Sequence, residues 1–227
     1  MKIDWLQFIP ALLLLFYPLD HALRGRVRLR AYEDVRNDRP DAADAWWRQP
    51  WTWVDPIRAC VGGWLLRTAW TIEPPVDGFW LHLPLMGTLV VLALALGVQM
   101  HTRRVDSVLL APMGYSAGLV FALLPPQVAV LVVVLAFVCL MAFRGWWAFF
   151  FFGAAGAGAF GYLILRVNLW MAGTVVLMMM PLMLGMLVRR ELLLPSARVQ
   201  TRSRGGRSTR GRGKRKRSAE APLQAVG

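Results

Sequence analysis

"WWAFFFFGAAGAGAFGYLILRVNLWMAGTVVLMMMPLMLGMLV", residues 146 to 188, is two apolar runs of equal length joined by Arg166, Val167 and Asn168. Each run, Trp146 to Leu165 and Leu169 to Val188, has the length of about 20 residues that a helix needs to cross a hydrocarbon layer about 30 Å thick, rising about 1.5 Å per residue. A connector this short leaves room only for a reversal. The stretch therefore reads as an antiparallel pair of membrane helices.

The same test applied outward finds Phe79 to Met100, Val105 to Leu124 and Val128 to Phe143, separated by "HTRR", "PPQ" and "RG". No soluble domain fits between them. The composition agrees: 57 % of the 227 residues are hydrophobic and the mean hydropathy is +0.46. Cys60 and Cys139 are the only cysteines, too few and too far apart for a disulfide framework or a cysteine metal motif.

Towards the amino terminus the pattern loosens. "WLQFIPALLLLFYPLDHAL", Trp5 to Leu23, is long enough to anchor, with Pro10 and Pro18 interrupting it. Asp4 spoils the basic start of a cleavable signal, and no small-residue cleavage site follows. Instead Arg24, Arg26, Arg28 and Arg30 follow, as on the cytoplasmic flank of an anchor. Residues 31 to 50 mix charges of both signs and read as a short cytoplasmic helical segment at the membrane surface. "WTWVDPIRACVGGWLLRTAWTI", Trp51 to Ile72, contains Asp55, Arg58 and Arg67, each costing about 2.5–3.5 kcal/mol at mid-membrane. It either lies in the interface or spans with both arginines reaching towards opposite headgroup layers.

Charge placement arbitrates. From Ser196 onward there are ten basic residues and one acid, a net +9 of the formal +13. With this tail in the cytoplasm, alternation puts Arg103, Arg104 and Arg144 inside, and Arg166 and the acidic "IEPPVDG" outside, as the positive-inside rule requires. For Arg24 to Arg30 also to be inside, residues 57 to 72 must cross. Trp5, Trp80, Trp146, Trp147 and Trp170 fall at or near helix ends, where an amphipathic indole is favoured.

The expected fold is thus all-α: a polytopic integral membrane helix bundle of seven spans, six if residues 51 to 72 stay in the interface. It divides into an anchor (1–23), a charged, Trp-rich cytoplasmic or interfacial segment (24–56), the bundle (57–190) and a disordered basic tail (191–227). The expected location is a bacterial-type plasma (inner) membrane, amino terminus outside and carboxy terminus in the cytoplasm.

Four motifs bear on chemistry. "GYSAG", Gly114 to Gly118, has the G-x-S-x-G spacing of serine hydrolases. It resembles intramembrane serine proteases of the rhomboid class, which would make Ser116 a nucleophile. Those proteins draw a histidine from a later helix, and none follows His101 here, leaving only His82 and His101. The alternative reading is a packing face, Gly114 and Gly118 letting two backbones approach. Gly153, Ala157 and Gly161 repeat that spacing, for a neighbouring helix or another membrane protein. Met179, Met183 and Met186 resemble the methionine pore motif of copper-uptake proteins, which would make them Cu(I) ligands; adaptable packing around Pro181 is the alternative. Asp20, His21, Arg67 and His82 are the remaining polar candidates, Arg67 pairing with Asp20 if their helices touch.

The fourth motif is the tail. Arg202, Arg204, Arg207, Arg210, Arg212, Lys214, Arg215, Lys216 and Arg217 can meet anionic lipid headgroups or RNA, and no aromatic residue interleaves them for base stacking. A basic tail behind a helical bundle also resembles those of insertases that hold ribosomes at the membrane, although nothing else in the sequence matches that family. No DNA partner and no cofactor is expected. Between Ser107 and Val188 there is no Asp, Glu, His or Lys, which argues against proton-coupled transport and metal-dependent catalysis. The expectation is a non-enzymatic scaffold or assembly partner, with a small channel or carrier for Cu(I) or a neutral solute as the alternative and intramembrane hydrolysis at Ser116 a remote one.

Overall fold

The computed structural model describes residues 2–17, 27–30, 50–71, 82–101, 108–166, 168–188 and 191–197. Seven helices lie among them: α1 (Trp5–Phe16), α2 (Pro50–Thr68), α3 (Leu83–Met100), α4 (Met113–Leu123), α5 (Pro126–Phe143), α6 (Trp146–Leu165) and α7 (Leu169–Val188). By length and composition, α3, α5, α6 and α7 can each cross a membrane. The chain is an all-α bundle of membrane type.

Local chemistry sets the ends. Asp4 caps α1, its carboxylate accepting from the Leu6 N–H at 3.0 Å. Pro18 disfavours a helical conformation at the residue before it, and Tyr17 is extended at φ −66, ψ 115. The anchor expected over Trp5 to Leu23 therefore stops at Phe16. Likewise the span expected over Val105 to Leu124 contracts to α4, with Pro112 at its N-cap and a short strand at Val108–Leu110 before it. Thus α1 and α4 have 12 and 11 residues, only about 18 and 16 Å of helix. In contrast, α2 has 19 residues and starts inside the segment expected to be interfacial. Of the helical segment expected over residues 31–50, residues 31–49 lie outside the described residues and Pro50 opens α2.

Inter-helix contacts fix the directions. The Asp4 N–H donates to the Ala69 carbonyl and Leu14 and Leu15 abut Gly62, so α1 runs antiparallel to α2. Gly118 sits on Pro56 and Ala122 on Gly63, so α4 runs parallel to α2. Leu89 meets Gly173 and Gly97 faces Met180, making α3 and α7 parallel. Leu135 meets Gly156, and Met178 and Met171 meet Gly153 and Gly161, so α5, α6 and α7 alternate. Successive helices thus reverse throughout. One end of the bundle gathers Tyr17, the start of α2, His101, the start of α4, Arg144 and Val188; the other gathers Asp4, Ala69, His82, Leu124 and Arg166.

Two clusters form the interior. Leu15, Leu66, Leu92, Leu96, Tyr115 and Leu119 join α1 to α4, and Val120, Val128, Val132, Phe149, Phe150 and Met178 join α4 to α7. In lipid such packing depends on close fit and not on removal from water, which is why glycines line so many of these contacts.

The hydropathy pattern gave no sign of two small sheets. At the Asp4 end β1 (Lys2–Ile3) pairs antiparallel with β3 (Trp70–Thr71). At the other end β2 (Val27–Arg30), β5 (Glu191–Ala197) and β4 (Val108–Leu110) lie in that order, β5 antiparallel to β2 and parallel to β4. The first seven residues of the segment expected to be a disordered tail are thus a strand; residues 198–227 lie outside the described residues.

Candidate functional site

A helix leaves its last four carbonyls without intrahelical donors, and where water is scarce these must find others. Helix α1 ends at Phe16, and only its Leu13 carbonyl is bonded from the cap, by the Tyr17 N–H. Side chains from three other helices meet the Leu14 and Leu15 carbonyls and that of the cap residue, Tyr17. From α2, Arg58 Nη1 donates to the Leu14 carbonyl at 3.3 Å and to that of Tyr17. From α3, Gln99 Nε2 donates to Leu15 at 3.0 Å and to Tyr17 at 3.2 Å. From α4, the Tyr115 hydroxyl donates to Leu15 at 3.2 Å.

The donors are themselves linked. Arg58 Nη2 donates to Gln99 Oε1 at 2.9 Å, and Nε donates to Asp55 Oδ1 at 2.6 Å. The guanidinium also lies 5.3 Å from the Tyr115 ring centroid. Arg58 and Gln99 are each 8 % exposed and Tyr115 is 1 % exposed, so the cluster is a buried polar knot in an apolar bundle. Its planar cation, aimed at the negative end of a helix dipole, adds electrostatic attraction to the hydrogen bonds.

Arg67, nine residues along α2, makes a looser version of the same arrangement. Its Nη1 lies 3.5 Å from the carbonyls of Ala122 and Leu123, the end of α4, and its guanidinium lies 4.7 Å from the Trp170 ring centroid. Each short helix therefore ends against an arginine of α2. Asp20, considered as a partner of Arg67, and His21 lie outside the described residues.

The other sequence candidates are dispersed. Ser116 is 2 % exposed, its Oγ without a hydrogen-bond partner, in a crevice with Leu96, Val120, Thr174 and Met178 that leaves no room for a water molecule. His82 and His101 stand at opposite ends of α3. Met179 is half-buried while Met183 and Met186 are 58 % and 68 % exposed, facing away from the bundle. Gly114 and Gly118 lie against Pro56, and Gly118 also against Ala59. Gly153 faces Met178 and Ala136, Gly161 faces Met171, and Ala157 is fully buried in the second cluster. The nine basic tail residues from Arg202 to Arg217 lie outside the described residues.

No family model, curated protein or solved structure matches this chain. The polar knot and the helix directions therefore carry the functional argument. Sequence reasoning weighed Arg58 as a cost or as a side chain reaching for the headgroups, whereas it is buried, and passed over Gln99 and Tyr115. The signal available was a helix halted by Pro18, whose carbonyls needed donors from somewhere.

Proposed function

We propose that this chain is a seven-span membrane scaffold or assembly partner without enzymatic activity, its amino terminus outside and its carboxy terminus in the cytoplasm of a bacterial-type plasma membrane. Its arginine- and lysine-rich tail contacts anionic lipid or RNA on the cytoplasmic side. One observation carries the reading: the seven helices reverse in turn, so every strongly basic segment connects at the same end of the bundle. Arg144 stands at that end, and in the sequence residues 24–30, Arg103, Arg104, Arg189, Arg190 and the tail adjoin helices whose ends gather there, whereas Lys2, Arg67 and Arg166 belong with the other end, and the sequence between α2 and α3 holds the acids Glu73 and Asp77. An asymmetry of this size sets orientation during insertion.

The polar knot supports counting the half-length helices as spans. A short helix is tolerated at membrane depth when its open carbonyls are satisfied by neighbours, as those of Leu14 and Leu15 in α1 are by Arg58, Gln99 and Tyr115. The test is reporter fusion: alkaline phosphatase and green fluorescent protein placed after residues 35, 76, 124, 145, 167 and 227. Phosphatase activity is expected at 76, 124 and 167, and fluorescence at 35, 145 and 227. If fusions at 35 and 76 report the same side, α2 does not cross and the seven-span reading fails.

A further inference from the structure

The geometry points to an anionic phospholipid site at the end of α2, in which Arg67 takes the phosphate, Gln7 takes a second oxygen and Trp64 lies one turn beneath them. The site goes beyond the proposed scaffold role and holds whichever side of the membrane that end faces.

Spare donors carry the argument. Arg58 spends Nε, Nη1 and Nη2 on partners inside the bundle. In Arg67 only Nη1 has acceptors, the Ala122 and Leu123 carbonyls at 3.5 Å, the outer limit of a hydrogen bond. Among the described residues, its Nε and Nη2 have no partner and no carboxylate pairs with it. Those two nitrogens form one edge of the guanidinium, whose parallel N–H groups fit two oxygens of a phosphate. The side chain is exposed, yet the Trp170 ring, 4.7 Å from the guanidinium, and the negative end of α4 hold it in place. A cation that is fixed, exposed and not neutralised suits an anion.

Depth selects which anion. Trp170 is the second residue of α7, a helix able to cross a membrane, and Ala69 accepts from the Asp4 N–H at the start of α1. Arg67 therefore lies within about one helical turn of the ends of both helices, where hydrocarbon gives way to headgroups. Lipid phosphates are the anions concentrated at that level.

The surroundings complete the fit. Trp64, Arg67 and Thr68 share one face of α2 by their spacing, and all three are exposed. Thr68 Oγ1 lies 2.8 Å from Gln7 Oε1, which fixes the amide and leaves Gln7 Nε2 as a donor with no partner among the described residues. Arg67 and the Gln7–Thr68 pair thus flank the position one turn above Trp64. An indole at that depth suits the glycerol and the first methylenes of a lipid. Because Arg67 brings an uncompensated positive charge, the lipid is an anionic one such as phosphatidylglycerol.

The test uses the full chain in phosphatidylcholine nanodiscs containing photoactivatable phosphatidylglycerol, with the reactive group at the head of its acyl chains. Mapping cross-links by peptide mass spectrometry separates this site from the basic tail. Cross-links are expected on the peptide that holds Trp64. Arg67→Gln should reduce them about fivefold, the effect of one basic residue near anionic lipid, and Gln7→Leu about twofold, the effect of one hydrogen bond. Arg67→Lys, which keeps the charge but not the parallel N–H pair, should reduce them about twofold. Cross-links on Val134 and Val138, exposed on α5, should stay at the parent level in every variant. Thermal unfolding shows which variants fold; if Arg67→Gln does not, Gln7→Leu and Arg67→Lys decide. Parent-level cross-linking at Trp64 in all folded variants refutes the site. Equal cross-linking by photoactivatable phosphatidylcholine refutes the anionic assignment, and displacement by inorganic phosphate refutes a lipid in favour of a free anion.

Discussion

Replacing Arg58 by leucine tests the polar knot directly. The substitution keeps an apolar side chain in place but removes donors to Asp55, Gln99 and the Leu14 and Tyr17 carbonyls. Hydrogen bonds to a charged group contribute about 1.5–3 kcal/mol each, and removing one member of a buried ion pair costs about 3–5 kcal/mol. The bonds act as a unit and do not add. Asp55, with 22 % of its side chain exposed, regains some hydration when left alone, which favours the lower end. The expected loss is about 3 kcal/mol, a factor of roughly 150 in the unfolding equilibrium. Arg58→Lys keeps the charge but not the fork and should lose about half as much. Asp55→Asn together with Arg58→Leu should recover part of the loss, since no orphaned carboxylate remains. Equilibrium unfolding in mixed detergent micelles measures these differences. A cysteine at Leu15, which is fully buried, should become open to thiol reagents in the leucine variant as the end of α1 loosens. If Arg58→Leu and Arg58→Lys both unfold within about 0.5 kcal/mol of the parent, the guanidinium does not hold α1 and the reasoning fails.

Four further outcomes are expected. A methyl group at Gly118 would press on the Pro56 carbonyl oxygen and on Ala59, whereas one at Gly158 meets only Val175 at 3.8 Å; Gly118→Ala should destabilise by about 1–3 kcal/mol and Gly158→Ala should stabilise by up to about 1 kcal/mol, read by the same unfolding assay. Ser116→Ala removes a buried hydroxyl with no partner and should raise stability by about 1 kcal/mol; loss of a hydrolytic activity in this variant would instead identify a nucleophile. Arg166 has φ 59 and ψ −160, a conformation suited to glycine, so Arg166→Gly should raise the melting temperature, with a gain of about 1–3 kcal/mol. Met183→Leu/Met186→Leu should leave Cu(I) flux into proteoliposomes at the level of protein-free vesicles, as for the parent; selective flux lost in the variant would favour a carrier.

Much of the bundle could be read from the sequence because membrane crossing depends on quantities a single chain displays: run length, hydropathy and connector length. Trp146 to Leu165 and Leu169 to Val188 are helices with the same bounds in sequence and structure, and α5 differs from expectation by two residues at its start. The failures lie where proline stereochemistry overrides hydropathy. Leu19 and Leu23 extend the apolar count of the first run, yet Pro18 ends the helix before either. Val105 to Leu110 is apolar enough to join α4, yet Pro112 precedes the helix and Val108–Leu110 finds a strand partner 83 residues away. The knot was hidden for another reason. Arg58 meets α1 across 41 and 44 residues and Gln99 across 82 and 84; no local pattern encodes such pairings. An arginine in a weakly apolar segment reads as a penalty until the carbonyls it satisfies are located.

The polar knot also sets an order of events during synthesis. Helix α1 leaves the ribosome first, but the donors for its last carbonyls come from Arg58, Gln99 and Tyr115, so the end of the first helix stays incomplete until about half the 227 residues have been made. A nascent chain released before Tyr115 would carry an unfinished helix end in an apolar setting, where quality-control proteases and chaperones can recognise it. Completion of the fourth helix is then the step at which the amino-terminal half becomes committed.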